Sequence, residues 1–356
     1  NCSPRLSDEF MRAVRDNTKY QLRFPVDETE TPEVSRWIDA KEVWDAIVDA
    51  AWKCGEPGGL FWDTITRETP ADIYSDVGYK TTTTNPCSEL PLCAYGQCSL
   101  MVVNLMGFVT DPFGPNANFD WKAYAKTVRI AQRLADDTVD LELECIERII
   151  AKIESDPEPE LIKQVELDLW RNVQRTTRNG RRTGLGITAL GDMLASAFGI
   201  RYGSLESIDL TERVYKELGV NSHASSIQMA KERGAFPVFD LSKEQGHSFM
   251  GRILAELTPD ELADYKTFGR RNIANTTTAP TGSLSLLARL ALGRFQTTSG
   301  IEPAFLVEFT RSKKINGNDA DVSVDFVDAK GDKWHDFPVF HPGFQLWKDV
   351  TGKTKV

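Results

Sequence analysis

The segment formed by residues 85–98 places the strongest constraint on what this chain can fold into. It reads Asn-Pro-Cys-Ser-Glu-Leu-Pro-Leu-Cys-Ala-Tyr-Gly-Gln-Cys. Pro86 and Pro91 keep it out of a helix, because proline lacks a backbone N–H and pushes the preceding residue towards extended conformations. The segment is therefore predicted to be extended, with alternate residues facing the same way.

Alternation places an amide, a thiol and a carboxylate on one face of this segment, at Asn85, Cys87 and Glu89. Cys98 adds a second thiol a short loop away. A hydrogen-bonding amide, a sulfur and a potential base predict redox chemistry on a hydroxylated substrate. The alternative is a turn with an incidental cysteine, since a lone cysteine is usually a small buried apolar residue.

A metal site is a further alternative for the three cysteines of this segment. Cys87, Cys93 and Cys98 are spaced C-x5-C-x4-C, whereas zinc ligands usually come as C-x2-4-C pairs. No histidine is close in sequence, since the four lie at His223, His247, His335 and His341. The spacing disfavours a metal site. A non-catalytic metal-binding module is the alternative to an enzyme.

Bulk composition narrows the function classes. The 356 residues carry a net charge of −10 without a basic tract, which excludes a nucleic-acid surface but not a small phosphorylated ligand. No apolar run is long enough to predict a membrane span. Six cysteines are too few for a disulfide scaffold of this length and favour cytosolic thiols. We expect a cytoplasmic protein, or one in the host cytoplasm if a phage encodes it.

Helices interleaved with short strands predict a single α/β unit. Ser7 is a plausible N-cap, Asp39 opens a capping-box pattern, and Asp120 is placed to cap a long helix. Further helices are predicted over about 208–233 and 242–256.

Residues 279–285, Ala-Pro-Thr-Gly-Ser-Leu-Ser, form a second motif. Glycine permits close backbone approach, and hydroxyl and N–H groups can converge on an anion if a helix begins here. An ordinary Ser/Thr N-cap is the alternative. Gly184 and Gly186 lack the third glycine of a dinucleotide fingerprint, so we expect them to permit close helix packing instead.

Taken together, these residues resemble the catalytic subunit of ribonucleotide reductase over nearly the whole chain. Residues 85–89 resemble the Asn-Pro-Cys-Gly-Glu active-site loop of that family, with Ser88 replacing glycine, and Cys98 falls where a reducing cysteine follows. Residues 182–192 are similar to its Arg-x-Gly-Leu-Gly segment. Residues 279–285 and the Ser-Gly-Ile-Glu-Pro of 299–303 match its phosphate loop and the segment after it.

The resemblance implies a fold and a subtype. Residues 1–356 would be the central and later part of a ten-stranded α/β barrel, with the active-site loop inside it. Upstream strands, the allosteric region and a C-terminal tail would lie outside this chain. Asn-Pro-Cys with a short gap to the next redox cysteine resembles the adenosylcobalamin-dependent class. A di-iron-dependent large subunit is the alternative within the family.

The resemblance also implies residue roles. Cys87 would carry a thiyl radical that takes the 3′ hydrogen of a ribonucleotide, with Glu89 as base and Asn85 holding the sugar hydroxyls. Cys98, with a cysteine upstream of this chain, would supply two electrons and close a disulfide. The remaining cysteines are expected to be packing residues, with a Cys93–Cys98 pair as a secondary possibility.

The implied partners are a ribonucleoside di- or triphosphate, a thioredoxin-like or C-terminal-tail dithiol, and the remaining part of the reductase, without which the chain is expected to be inactive. The implied substrate-binding residues are Asn85, Pro86, Cys87, Ser88, Glu89, Pro280, Thr281, Gly282, Ser283, Leu284 and Ser285.

Overall fold

The structure is a computed structural model that describes residues 2–26, 31–291, 300–303, 306, 308–316, 322–340 and 352. Its helices are α1 (Asp8–Asp16), α2 (Ala40–Cys54), α3 (Trp62–Glu68), α4 (Trp121–Ser155), α5 (Glu160–Gly180), α6 (Leu190–Phe198), α7 (Leu205–Arg233), α8 (Leu241–Glu244), α9 (Ser248–Leu254), α10 (Pro259–Phe268) and α11 (Gly282–Ala291). Two 3-10 segments cover Pro70–Val77 and Leu105–Phe108.

The described strands are short. They are β1 (Arg5–Leu6), β2 (Lys19–Phe24), β3 (Val34–Asp39), β4 (Leu60–Phe61), β5 (Thr83–Thr84), β6 (Pro91–Leu92), β7 (Ser99–Asn104), β8 (Val109–Thr110), β9 (Asn118–Phe119), β10 (Thr183–Thr188), β11 (Glu308–Lys314), β12 (Phe326–Val327) and β13 (Lys333–Phe340). They pair as β1–β4, β2–β3, β5–β6, β7–β10 and β8–β9, with β11–β13–β12 as a three-stranded sheet.

These six small sheets confirm an α/β chain, but the described strands close no barrel. The prediction that residues 1–356 are a portion of a ten-stranded barrel with residues 85–89 inside it is therefore not confirmed by the part of the chain that the structure describes. The physical reason is that a barrel needs a continuous ladder of strands around its whole circumference. The described strands form five separate pairs and one three-stranded sheet, which provide no such ladder.

Contacts within the chain divide it into two compact units. The first comprises Asn1–Met101, Lys126–Gly186 and Lys216–Ala279, and the second comprises Val102–Ala125, Ile187–Tyr215 and Pro280–Val356.

All six residues of strand β10 are buried; residues 183–186 belong to the first unit and residues 187–188 to the second. Residues 274–277 run parallel beside it. The Thr183 and Leu185 amides donate to the Ala274 and Asn275 carbonyls at 3.0 and 2.8 Å, and the Thr277 amide donates to the Leu185 carbonyl at 3.0 Å. Residues after the active-site loop and residues near the phosphate-loop motif are thus joined through one buried strand.

A buried ion pair fixes the scaffold behind this strand. The Arg270 and Glu244 side chains are both fully buried, with Nη2 and Oε1 2.6 Å apart. The Tyr74 and Tyr265 hydroxyls each donate to the Glu244 carboxylate at 2.7 Å. A carboxylate satisfied by three donors tolerates burial that would otherwise be costly.

The predicted N-caps are confirmed, but the reciprocal Glu42 bond of a capping box at Asp39 is not. The Ser7 hydroxyl accepts from the Phe10 amide, Asp39 accepts from the first turn of α2, and Asp120 accepts from the Ala123 amide. The predicted helix 242–256 is wrong in its continuity, because α8 and α9 are separated at Gly246, where φ is +85°. No helix among the described residues is long and apolar enough to cross a membrane.

In the second unit, the chain after the gap at 292–299 packs on the start of α6. The Ala189 and Gly191 amides donate to the Gly300 and Ile301 carbonyls, both at 2.9 Å. A side chain at Gly191 would meet Pro303, so glycine is required there. Ser299 of the Ser-Gly-Ile-Glu-Pro match lies outside the described residues.

Candidate active site

The loop of residues 85–89, the predicted active-site loop, is the end of a hairpin. Strands β5 and β6 pair antiparallel, with Thr84 opposite Pro91. Beyond them the Asn85 amide donates to the Leu90 carbonyl at 3.3 Å, and the Ser88 amide donates to the Asn85 carbonyl at 3.0 Å. Residues 85–88 therefore form a β-turn with proline at its second position, which suits the fixed φ of proline.

This turn corrects the prediction of an extended segment. Cys87 is the third residue of the turn, and Ser88 has φ +68°. The strict alternation that would place Asn85, Cys87 and Glu89 on one face is therefore lost. The prolines do exclude a helix, as predicted, but they serve a tight reversal and not a straight strand.

The Asn85 side chain braces the loop from within. Its Oδ1 accepts from the Leu90 amide at 3.0 Å across the turn. Within the described residues its Nδ2 has no hydrogen-bond partner. One end of the amide is thus structural, and the other end is available to donate to a ligand.

Cys87 is exposed at the tip of this hairpin. The expectation of a sulfur shielded from water is therefore wrong for this chain by itself. The sulfur is accessible to a group approaching from outside the chain.

Glu89 turns back into the fold. Its main-chain carbonyl accepts from the Thr277 hydroxyl at 2.8 Å. Its Oε2 is buried and has no hydrogen-bond partner among the described residues. A carboxylate held in this way can accept a proton or a hydrogen bond from a molecule beside it.

A cavity of about 470 Å³, the Glu89 cavity, lies on one side of the loop. Ser88 and Glu89 line it together with Arg182, His223 and Asn275, and α3 and Phe249 contribute to its walls. Arg182 Nη2, His223 Nε2 and Asn275 Oδ1 are, like Glu89 Oε2, buried atoms without a partner. Among the described residues, most of the buried side-chain N and O atoms that have no hydrogen-bond partner therefore belong to residues that line the Glu89 cavity.

A second cavity of about 410 Å³, the Asn85 cavity, is lined by Ser3, Leu60, Thr83, Thr84, Asn85, Pro86 and Ser88. Leu60 and Ser88 contact both cavities. Residues of the hairpin end therefore line two cavities, each large enough for part of a small ligand. Asn85, the predicted amide, lines one cavity, and Glu89, the predicted carboxylate, lines the other.

Cys98 is held against β10. A Cβ at Gly184 would lie 2.7 Å from its Sγ, so that glycine is required for the sulfur to fit. Burial raises the pKa of Cys98 to about 12; the Glu89 and Glu142 carboxylates add to the rise and Arg182 opposes it. Cys98 is therefore a protonated thiol near neutral pH. Gly184 and Gly186 serve strand packing and not the helix packing predicted for them.

The other cysteines divide into two groups. Cys93 is buried in a cluster with Tyr74 and Tyr79, as a packing residue should be. Burial also raises its pKa. Cys2, Cys54 and Cys145 are exposed, so the prediction that they pack in the core is wrong.

The three sulfurs of the active-site segment do not all lie within 4.8 Å of one another, which argues against the metal-binding alternative. Among the described residues the one group of three with that spacing is Asp136, Asp137 and Asp140. Arg181 and Arg233 form ion pairs with these carboxylates. This cluster is a charge network of the scaffold.

The phosphate-loop motif lies at the start of α11 in the second unit. The Thr281 hydroxyl donates to Thr188 Oγ1 at 3.0 Å, and the Ser285 hydroxyl donates to the Gly282 carbonyl at 2.6 Å. Both side chains are buried. Gly282, Ser283 and Leu284 are exposed, so backbone N–H groups and the Ser283 hydroxyl are what this segment offers a ligand.

Sequence reasoning missed three residues of the site. Arg182 belongs to the segment 182–192 that resembles the family, but the sequence indicated no role for this residue. His223 and Asn275 had no local signal, because each reaches the cavity only through long-range packing of α7 and the strand-like segment beside β10.

The sequence model of the ribonucleotide reductase barrel domain matches residues 1–330. The chain belongs to this family. The match covers both the hairpin that presents Cys87 and the segment at the start of α11.

Curated relatives are consistent with the family assignment. A vitamin B12-dependent ribonucleoside-diphosphate reductase of Mycobacterium tuberculosis (strain CDC 1551 / Oshkosh) is 32% identical over 88% of this chain and 36% of that protein. One of Thermoplasma acidophilum is 30% identical over 87% of this chain and 32% of that protein. A vitamin B12-dependent ribonucleotide reductase of Rhodopirellula baltica is 26% identical over 85% and 27%, respectively. The chain thus spans about a third of the length of the curated relatives it matches.

Proposed function

We propose that this chain forms the catalytic part of an adenosylcobalamin-dependent ribonucleotide reductase, which supplies deoxyribonucleotides for DNA synthesis. The observation that carries the proposal is the hairpin end, where the exposed Cys87 is flanked in sequence by residues that line two cavities, one with Asn85 and the other with Glu89. The names of the vitamin B12-dependent relatives support the choice of cofactor over a di-iron partner protein.

The residues fit a cofactor that delivers an oxidising equivalent from outside the hairpin, because Cys87 is accessible at its tip. Adenosylcobalamin, when bound, supplies that equivalent through homolysis of its cobalt–carbon bond. In the whole reductase the ten-stranded barrel would surround the hairpin and exclude water from Cys87.

The chain's own residues then perform the substrate chemistry. The Cys87 thiyl takes the 3′ hydrogen atom of the ribose and returns it after reduction. Glu89 accepts the proton of the 3′ hydroxyl, and Asn85 donates through Nδ2 to a sugar hydroxyl while Oδ1 braces the loop.

Removal of the 2′ hydroxyl as water requires two electrons and two protons. Cys98 supplies one hydrogen as a protonated thiol, in agreement with its raised pKa. A second cysteine outside this chain supplies the other, and the two sulfurs become a disulfide that a thioredoxin-like or C-terminal-tail dithiol reduces. Without that second cysteine we expect no sustained turnover from the chain by itself.

The nucleotide phosphates are proposed to bind at the start of α11. The exposed backbone of Gly282 and Ser283 offers N–H groups at a helix N-terminus, which favour negative charge. Thr281 and Ser285 shape the loop through their internal hydrogen bonds. Both diphosphates and triphosphates remain substrates to be compared.

The test is deoxyribonucleotide formation by the reductase that contains this chain, assayed with adenosylcobalamin and a dithiol. Cys87→Ser should abolish turnover while nucleotide binding is retained. Cys54→Ser, at another exposed cysteine, is the matched control and should keep full activity. Product formation by the Cys87→Ser protein would contradict the proposal. Activity that depends on a radical-generating protein and not on adenosylcobalamin would favour the di-iron class.

A further inference from the structure

The Glu89 cavity contains two opposite charges that do not meet. Glu89 and Arg182 both line it, yet Glu89 Oε2 and Arg182 Nη2 do not pair with each other. Glu89 Oε2 and Arg182 Nη2 are both buried and have no hydrogen-bond partner among the described residues. Each of these groups is expected to form a charge-assisted hydrogen bond, so an occupant of the cavity that both donates and accepts would satisfy them.

Two neutral acceptors complete the cavity. His223 is 1% exposed; its Nδ1 lies 2.8 Å from the Gly219 carbonyl, which assigns the proton to Nδ1 and leaves Nε2 as a bare acceptor. Burial lowers the pKa of His223 to about 4, so this ring stays neutral near neutral pH. Asn275, 2% exposed, donates through Nδ2 to the Ser222 carbonyl at 3.1 Å and leaves Oδ1 unpaired.

This set of atoms selects its occupant. Three acceptors and one cationic donor need a molecule with several O–H donors and at least one lone pair. An apolar occupant would leave every one of the four atoms unsatisfied, which is costly for buried polar groups. A metal ion is disfavoured by the arginine. The volume of about 470 Å³ accommodates on the order of ten water molecules.

We propose that an ordered water cluster fills the Glu89 cavity and links the Glu89 carboxylate to His223, which makes His223 a positioning residue for the base of the reaction. The cluster holds the carboxylate in one orientation through water that donates to both Glu89 Oε2 and His223 Nε2. Arg182 and Asn275 anchor the remaining waters. The role of Glu89 as base rests on the proposed function, whereas the hydration of the cavity does not.

The other charged group at this cavity does not compete for the cluster. Glu68 of α3 accepts from Ser248 at 2.9 Å and from Arg252 at 2.6 Å. Arg252 holds the pKa of Glu68 below its usual range. Both oxygens of Glu68 are thus engaged, and Glu89 is the carboxylate left for the waters.

The structural test is a crystal structure of the unaltered chain at a resolution that reveals water, grown without polyols. We expect waters within about 3.2 Å of at least three of the four unpaired atoms. We also expect an unbroken chain of them from Glu89 Oε2 to His223 Nε2. A dry cavity, or direct pairing of Glu89 with Arg182, would overturn the proposal whatever the activity of the protein.

The functional test compares His223→Leu with His223→Gln in the reductase that contains this chain. Leucine removes the acceptor, so kcat should fall about tenfold or more while KM changes by less than about twofold. Glutamine restores an acceptor and should bring kcat to within about threefold of the unaltered protein. His335→Leu, at a histidine of the second unit, is the matched control and should leave both constants unchanged.

Different results would contradict the role of His223 and the proposed reductase function. A His223→Leu reductase with unaltered kcat overturns the positioning role, and so does equal loss in the leucine and glutamine variants. An unaltered reductase that forms no deoxyribonucleotide overturns the proposed function, and the crystal structure still decides whether the water cluster exists.

Discussion

The Thr277 hydroxyl donates to the Glu89 carbonyl at 2.8 Å, although 188 residues separate the two in sequence. Thr277 belongs to the segment that runs beside β10, and a Cβ at Gly184 of β10 would lie 2.7 Å from Cys98 Sγ and 3.0 Å from the Thr277 side chain. One buried strand therefore sets the position of the carboxylate-bearing loop and of the second thiol together. The proposed base and the proposed reductant are positioned by the scaffold and not by the loop sequence alone.

Replacing Thr277 by valine should release the loop. The change keeps the shape of the side chain but leaves the Glu89 carbonyl without its donor, which costs about 1–3 kcal/mol. Urea unfolding of the chain measures the loss. Thr267→Val is the matched control, because that hydroxyl is exposed and bonds only within α10; it should cost less than about 0.5 kcal/mol. Equal costs for the two variants would contradict the bracing role of Thr277.

The two ends of the Asn85 amide can be separated by substitution. Asn85→Asp keeps an oxygen for the Leu90 amide but removes the donor proposed to contact the sugar, whereas Asn85→Ala removes both. Hydrogen exchange at the Leu90 amide should therefore rise about five- to tenfold in the alanine variant and change little in the aspartate variant. Nucleotide reduction should fall in both. Normal reduction by the aspartate variant would exclude a substrate role for Nδ2.

Ser88 occupies a backbone conformation that favours glycine. A φ of +68° costs a non-glycine residue about 1–2 kcal/mol of backbone strain. Glycine would relieve this strain, but its greater conformational freedom in the unfolded chain would offset about 0.5–1 kcal/mol of the gain in stability. Ser88→Gly should therefore stabilise the chain by about 0.5–1 kcal/mol, measured by urea unfolding. Ser88→Ala retains the strain and should give no gain. A gain of equal size in alanine would assign the effect to the lost hydroxyl.

The elements that sequence predicted well are those fixed by local chemistry. The caps at Ser7, Asp39 and Asp120 were predicted because a side chain and the amides it accepts from lie within a few residues of each other. The hairpin turn was not predicted as such. Its register depends on the β5–β6 pairing and on the Asn85–Leu90 bond, both of which compete with the extended conformation that alternation suggested.

The candidate site was likewise predictable from the sequence only where local chemistry fixes it. Cysteine chemistry within one short segment was visible in the sequence, since residue types and spacing carry it. The Glu89 cavity was not, because Arg182, His223 and Asn275 converge from β10, α7 and the segment beside β10. The partners of a buried polar atom become known only when long-range packing is known.

The Cys98 thiol should titrate at high pH. Burial raises its pKa to about 12 from a reference of 9.0, so alkylation by iodoacetamide, followed by peptide mass spectrometry, should be slow near neutral pH. It should increase only as the pH approaches that value, with exposed Cys2 as the internal reference. Because the folded pKa lies above the unfolded one, the stability that this thiol contributes is complete below pH 9 and is lost as the pH rises towards 12.

The charges around Cys98 predict opposite effects of two substitutions. Arg182 lowers this pKa, so Arg182→Met should raise it further and slow alkylation at a fixed alkaline pH by about three- to tenfold, the factor for half to one pKa unit. Glu142→Gln removes a carboxylate that raises the pKa but keeps an acceptor for Ser99, so alkylation should accelerate. Opposite changes in the alkylation rate of the two variants would indicate an effect of charge on the pKa of Cys98. Loosening of the fold would instead accelerate alkylation in both variants. Faster alkylation in Arg182→Met would therefore show that the arginine acts on Cys98 through packing and not through its charge.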